Sequence, residues 1–241
     1  MSFWNRHPKL ERIKLSGCSR GKRWFSDDIP AGLLGNLIYF EADWKEVAKV
    51  ISILPRLIRL GVQNAPGSDL LRLLQSYKPM GLPFLKSLQI EIIRHSGPGY
   101  RKELDNILKS IESHAPLLEE IGLQNNDLSG QEIFDILCHE DILSGLIWLE
   151  RIYLSYPGGD SWDVTATKKI FFNGAFKLAQ KGKFRRLQSI TNISQPYSLP
   201  YPVAKLSKNE KGELLFLDAR EGFGMVVGNH DHPFPGVLGS G

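Results

Sequence analysis

The stretch LLEEIGLQNNDLSG, Leu117 to Gly130, places Leu118, Ile121, Leu123, Asn126 and Leu128 at successive steps of three, two, three and two residues. A regular helix would need recurrence near 3.6 and a half-buried strand strict alternation. Neither period fits the whole stretch. Ile121 and Leu123, two apart, would point to the same side of a short strand, while Leu118 seats the incoming loop in a core. Asn126 is then expected to turn inward and hydrogen-bond the bending backbone after the strand, with Leu128 closing the turn.

The same apolar-x-x-apolar-x-apolar core recurs at Leu10-Ile13-Leu15, Leu37-Phe40-Ala42, Leu57-Leu60-Val62, Leu85-Leu88-Ile90 and Leu149-Ile152-Leu154. A weaker copy is Leu187-Ile190-Asn192. Pro8, Pro55, Pro83 and Pro116 each stand two residues before the first leucine of a core. The spacing is irregular but falls mostly in the range of helix-containing repeats. Between the cores the periodicity changes to that of helices: Trp44, Val47, Ile51 and Leu54 share a face, as do Leu70, Leu73, Leu74 and Tyr77, and Leu104, Ile107, Leu108 and Ile111. Ser68 and Ser129 are expected as N-caps, Ser129 with Glu132 as a capping box. A further helix is expected over Lys168 to Gln180, with Ile170, Phe171, Ala175 and Leu178 on one face.

The LxxLxLxxNxL core at Leu118 to Leu128, with its partial copies, resembles the leucine-rich-repeat family; Cys18 stands in the first core where Asn126 stands in the fifth. The irregular spacing, the HPKLERIKL opening and a trailing hairpin segment are most similar to the F-box type of leucine-rich-repeat protein found in mushroom-forming fungi. The resemblance implies an α/β leucine-rich-repeat solenoid: a curved parallel sheet on the concave side, helices on the convex side, and a C-terminal β-hairpin cap. Residues 1–195 would form about seven degenerate repeats, 196–227 a Pro-rich linker and hairpin with KNEKG as its turn, and 228–241 a flexible tail. The chain enters a repeat almost at once, as expected of a fragment of a longer parent or of a short relic. Because no F-box segment is present, adaptor binding is not carried over.

In such a scaffold the strand side chains between the buried ones form the concave face. That assigns Arg12, Lys14, Tyr39, Glu41, Arg59, Gln63, Gln89, Glu91, Glu120, Gln124, Arg151 and Tyr153 as candidate partner-binding residues. Tyr and Arg are the types that most often anchor protein interfaces, so Tyr39, Arg59, Arg151 and Tyr153 are the expected anchors, with depressions at Gly61 and Gly122. The implied role is a non-enzymatic module that binds a protein partner as a monomer, as the substrate-recognition part of an F-box-type ubiquitin-ligase receptor does.

Composition narrows the alternatives. The 241 residues are 42% hydrophobic, enough for a continuous core, and 30 basic against 26 acidic side chains leave a net charge of only +4, which argues against a dedicated nucleic-acid partner. The densest basic stretch, Lys168 to Arg186 with KGKFRR at its end, is the alternative site, for nucleic acid or anionic lipid. Two distant cysteines, Cys18 and Cys138, and the lack of an apolar leader point to the cytoplasm or nucleus, with Cys138 expected as a buried helix residue. The longest uncharged apolar-rich run, Ile29 to Phe40, is too short to cross a bilayer. His230-Asp231-His232 has no second ligand cluster, GFGMVVG at Gly222 to Gly228 misses the phosphate-loop spacing, and the Asn192 sequon carries no weight without a leader. No metal, cofactor or reaction is expected.

Overall fold

The computed structural model describes residues 6–7, 9–15, 24–25, 28–30, 32–76, 81–93, 99–125, 127–155, 164–194 and 201–222. Cys18, Tyr77, Asn126, the His230–His232 triplet and the tail from Gly228 lie outside them. Short strands alternate with helices: β1 Arg12–Lys14, β2 Tyr39–Asp43, α1 Trp44–Lys49, β3 Arg59–Pro66, α2 Gly67–Gln75, β4 Ser87–Ile93, α3 Tyr100–His114, β5 Glu120–Asn125, α4 Gly130–Leu137, β6 Arg151–Ser155, α5 Val164–Gln180 and β7 Ser189–Asn192. Two longer strands follow, β8 Tyr201–Lys208 and β9 Leu214–Gly222. All nine strands form one sheet in sequence order, parallel from β1 to β7 and antiparallel through the hairpin β8–β9.

Each sequence core makes the same local structure. The first leucine donates its N–H to the carbonyl three residues earlier, from Leu10 to His7, Leu37 to Leu34, Leu57 to Leu54, Leu85 to Leu82, Leu118 to Ala115, Leu149 to Leu146 and Leu187 to Phe184, at 3.0–3.3 Å. Proline fits the second position of such a turn because its fixed φ is already correct and its missing N–H is not used. The residue after the leucine then joins neighbouring units. Its carbonyl accepts two N–H groups from the next unit: Glu11 from Ile38 and Tyr39, Ile38 from Ile58 and Arg59, Ile58 from Lys86 and Ser87, Lys86 from Glu119 and Glu120, Glu119 from Glu150 and Arg151, and Glu150 from Gln188 and Ser189.

This forked ladder fixes the register. Ile13, Phe40, Leu60, Leu88, Ile121, Ile152 and Ile190 lie side by side in one row, and Ala42, Val62, Ile90, Leu123, Leu154 and Asn192 in the next on the same face. Both rows are buried in a single hydrophobic cluster with Val47, Leu70, Leu73, Leu74, Leu104, Ile107, Ile111, Ile133, Phe134, Phe171, Ala175 and Leu178 from the helices, apart from the polar Asn192. The helices therefore cover one face of the sheet.

Asn125 Oδ1 accepts from the N–H groups of Asp127 (2.9 Å) and Leu128 (3.0 Å) in the bend after β5; the role expected of Asn126 lies outside the described residues. Asn192 does the same after β7 for Ser194, and its full burial rules out a glycan in the folded protein. Several other local expectations are corrected. Ser68 is not the N-cap of α2. The chain passes from β3 through a bulge, with Asn64 at φ 53°, directly to Pro66 as N-cap, and Gly67 lies close against the Glu103 carboxylate, favourably placed at a helix N-terminus. The helix with Trp44 and Val47 ends at Lys49, before Ile51 and Leu54. α5 starts at Val164 rather than Lys168 and leaves Ile170 exposed. Ser129 and Glu132 form the expected capping box. Cys138 follows α4 as its C-cap, half-buried.

Where α5 crosses α4, a Cβ on Gly174 would lie 2.2 Å from the Phe134 ring, itself packed edge-on against Phe171 at a centroid distance of 5.9 Å. Helix propensity alone would make Gly174→Ala stabilising by about 1 kcal/mol. Displacing a wedged ring costs about 1–3 kcal/mol. Gly174→Ala is therefore expected to lower the urea unfolding free energy, and an unchanged or higher value would show that the two helices have room to spare.

Candidate functional site

The strand residues between the two core rows face away from the helices and align by the same register. One row runs Arg12, Tyr39, Arg59, Ser87, Glu120, Arg151 and Ser189; the next runs Lys14, Glu41, Gly61, Gln89, Gly122, Tyr153 and Thr191. Gln63, Glu91 and Gln124 extend the face toward the strand ends, with Glu91 and Gln124 in register. All twelve sequence-assigned residues thus share one sheet face, to which the described helices contribute no residue of these rows.

Their exposure divides them. Tyr39, Glu41, Arg59, Glu120 and Tyr153 are buried, whereas Arg12 is exposed and Lys14, Gln63, Gln89, Glu91, Gln124 and Arg151 are half-exposed. Two polar knots hold Tyr39, Glu41, Arg59 and Glu120, while Tyr153 is buried beside them. Tyr39 Oη donates to the Glu41 carboxylate, whose Oε1 also accepts from Gln63 Nε2 at 2.6 Å and pairs with Lys14 Nζ at 3.2 Å. The Glu41 side chain fills the space beside Gly61, where a Cβ would meet its Cγ at 2.5 Å, so the expected depression is occupied. In the second knot, Arg59 Nη2 reaches Glu120 Oε2 at 3.2 Å and Arg151 Nε lies 3.0 Å from Glu120 Oε1. Burial pushes the Glu120 carboxyl above its ordinary range, opposed by the positive charges of Arg151 and Arg59. Of the expected anchors, Arg151 keeps an exposed portion; Tyr39, Arg59 and Tyr153 are bound into the wall.

The basic stretch is arranged differently from a solvated patch. Lys183 Nζ donates to the carbonyls of His139 and Ile142, both at 2.7 Å, next to the C-terminus of α4. Lys208 of the hairpin donates to the Phe184 carbonyl, and the Arg186 guanidinium lies 3.9 Å from the Trp148 ring centre. Sequence spacing could not show these roles, because a lysine that closes a helix end from a distant segment leaves no local pattern. Burial lowers Lys183 and Lys208 to about 8 and raises the Cys138 thiol. Among the described residues no group of three potential metal ligands occurs, and no helix is long and apolar enough to cross a membrane.

Two outcomes follow. Glu120→Ala deprives the buried Arg59 of its carboxylate and is expected to cost about 3–5 kcal/mol by urea denaturation, with the joint Arg59→Met and Glu120→Leu exchange recovering most of it. Equal losses for both would assign the cost to packing instead. Because Lys183 and Lys208 hold their protons less tightly folded than unfolded, stability should rise as pH climbs from about 8 toward 10.5. Replacing both by Met should flatten that rise in a pH series of unfolding midpoints.

No family model matches the chain, and no curated protein and no solved structure matches it.

Proposed function

We propose that the chain is a leucine-rich-repeat solenoid whose strand face lines the concave side and acts as a non-catalytic protein-binding module, of the kind that forms the substrate-recognition part of an F-box-type ubiquitin-ligase receptor. The observation that supports this most is the alignment of half-exposed amide and charged groups (Lys14, Gln63, Gln89, Glu91, Gln124 and Arg151) over a buried polar base held by Glu41 and Glu120. The base holds the strand side chains in fixed positions, and the fringe offers donors and acceptors at the strand spacing of about 4.8 Å. Binding to such a surface spends little side-chain entropy.

The basic stretch supports a nucleic-acid site less well, since Lys183, at its centre, is occupied by main-chain carbonyls. The test uses positions that do not hold the fold together. Gln89→Arg with Gln124→Arg should abolish capture of a partner that the wild type retains from a native extract, by about tenfold or more in dissociation constant. The control Lys109→Glu on α3, nearly half-exposed outside the face, should retain it. Equal capture by all three proteins would refute the proposed face.

A further inference from the structure

The seven equivalent turns differ in what they expose. The third turn position, three residues before each strand, is held by Lys9, Asn36, Arg56, Phe84, Leu117, Trp148 and Arg186 in chain order. Phe84, Leu117 and Trp148 are therefore consecutive, on the turns leading into the adjacent strands β4, β5 and β6, and they are 59%, 40% and 37% exposed. Ile147, at the preceding turn position, is 63% exposed. Isolated apolar side chains on a surface are ordinary, but a contiguous set marks a contact site. Neighbouring strands stand about 4.8 Å apart, so the three tips form a straight ridge roughly 10 Å long.

The ridge ends in cations. Arg56 stands on the turn before it and Arg185 and Arg186 on the turn after it, with the Arg186 guanidinium lying on Trp148 at 3.9 Å. Three acids beside these turns are engaged locally: Glu119 pairs with Lys86 at 2.7 Å, Glu150 with Arg151 at 3.6 Å, and Glu112 accepts from the Gly145 N–H at 2.6 Å. A row of protruding apolar tips between arginines suits a flat partner with an apolar layer beneath an anionic surface. Trp, Phe, Leu and Ile would reach the boundary of headgroups and acyl chains, while the arginines meet the phosphates.

We propose that the Phe84–Leu117–Ile147–Trp148 ridge is a peripheral docking surface for an anionic phospholipid bilayer. It lies at the entrance of the strands, on residues other than those of the polar strand face, and does not depend on a protein partner there.

The full chain is sedimented with vesicles of phosphatidylcholine alone and with vesicles of about seven parts phosphatidylcholine to three parts phosphatidylserine. The wild type should be retained by the anionic vesicles, and Phe84→Ser with Leu117→Ser should weaken retention by about tenfold or more. Arg185→Glu with Arg186→Glu should weaken it on anionic vesicles alone. Trp148 fluorescence, isolated by difference from Trp148→Phe, should shift to the blue on binding. Far-ultraviolet circular dichroism confirms that each variant is folded. Absence of wild-type retention, or equal retention by the serine variant, would overturn the proposal. So would a wild-type dimer that the serine variant converts to a monomer, since the ridge would then be a protein interface.

Discussion

One carbonyl per unit, shared by two N–H groups of the next, governs the arrangement of this sheet. A parallel pair of strands only three to eight residues long offers few ladder bonds, and a shift of one residue would turn every side chain to the opposite face. The carbonyls of Glu11, Ile38, Ile58, Lys86, Glu119 and Glu150 prevent that slip just before each strand begins. Because the same turn precedes every parallel strand, the shared carbonyl always stands two residues before the first inward residue. The apolar rows follow from this constraint, and so do the polar rows behind them.

The constraint has a cost on the polar face. Register brings Arg59, Glu120 and Arg151 into one row and Lys14 beside Glu41, where packing buries Arg59, Glu41 and Glu120. Charges so placed must answer one another, because a buried ion without a counter-ion is far costlier than a neutral residue. Glu120 between two guanidiniums and Glu41 among Tyr39, Gln63 and Lys14 meet that demand. The result is a wall whose charges are mostly balanced internally, with a half-exposed rim of amides beside an Arg151 that is itself paired with Glu120 and Glu150. Sequence identity alone overstated the exposed charge of this face, since arginine and tyrosine count as anchors only where they are free to reach outward.

What was legible in the sequence was whatever depends on neighbours in the chain. Leu118, Ile121 and Leu123 announce their burial through spacing, Ser129 and Glu132 announce a helix start three residues apart, and KNEKG announces a turn in which Asn209 caps the N–H groups of Lys211 and Glu213. After β5 the described cap is Asn125, the last strand residue, which accepts from two N–H groups of the following bend. The illegible features all join distant segments. Glu46, buried in α1, holds the main-chain N–H groups of Trp24 and Phe25; Arg59 meets Glu120 across sixty-one positions; Lys183 crosses to the end of α4. None of these has a local period.

The shared carbonyls also explain how the array stops. A parallel strand added after β7 would need another turn to receive the forked pair of hydrogen bonds, and without one the edge would present unpaired main-chain groups. β8 arrives in the opposite direction, and only one N–H, that of Leu206, reaches the Gln188 carbonyl, at 2.8 Å. Ala204 continues the buried row beside Ile190, so the core closes while the fork does not recur. Lys208 then ties the hairpin to the carbonyl of Phe184 in the last turn, and Gly212, at φ 82°, brings the hairpin turn against Arg185 without the backbone strain a larger residue would suffer. Reversing one strand thus ends propagation while still occupying the edge of β7.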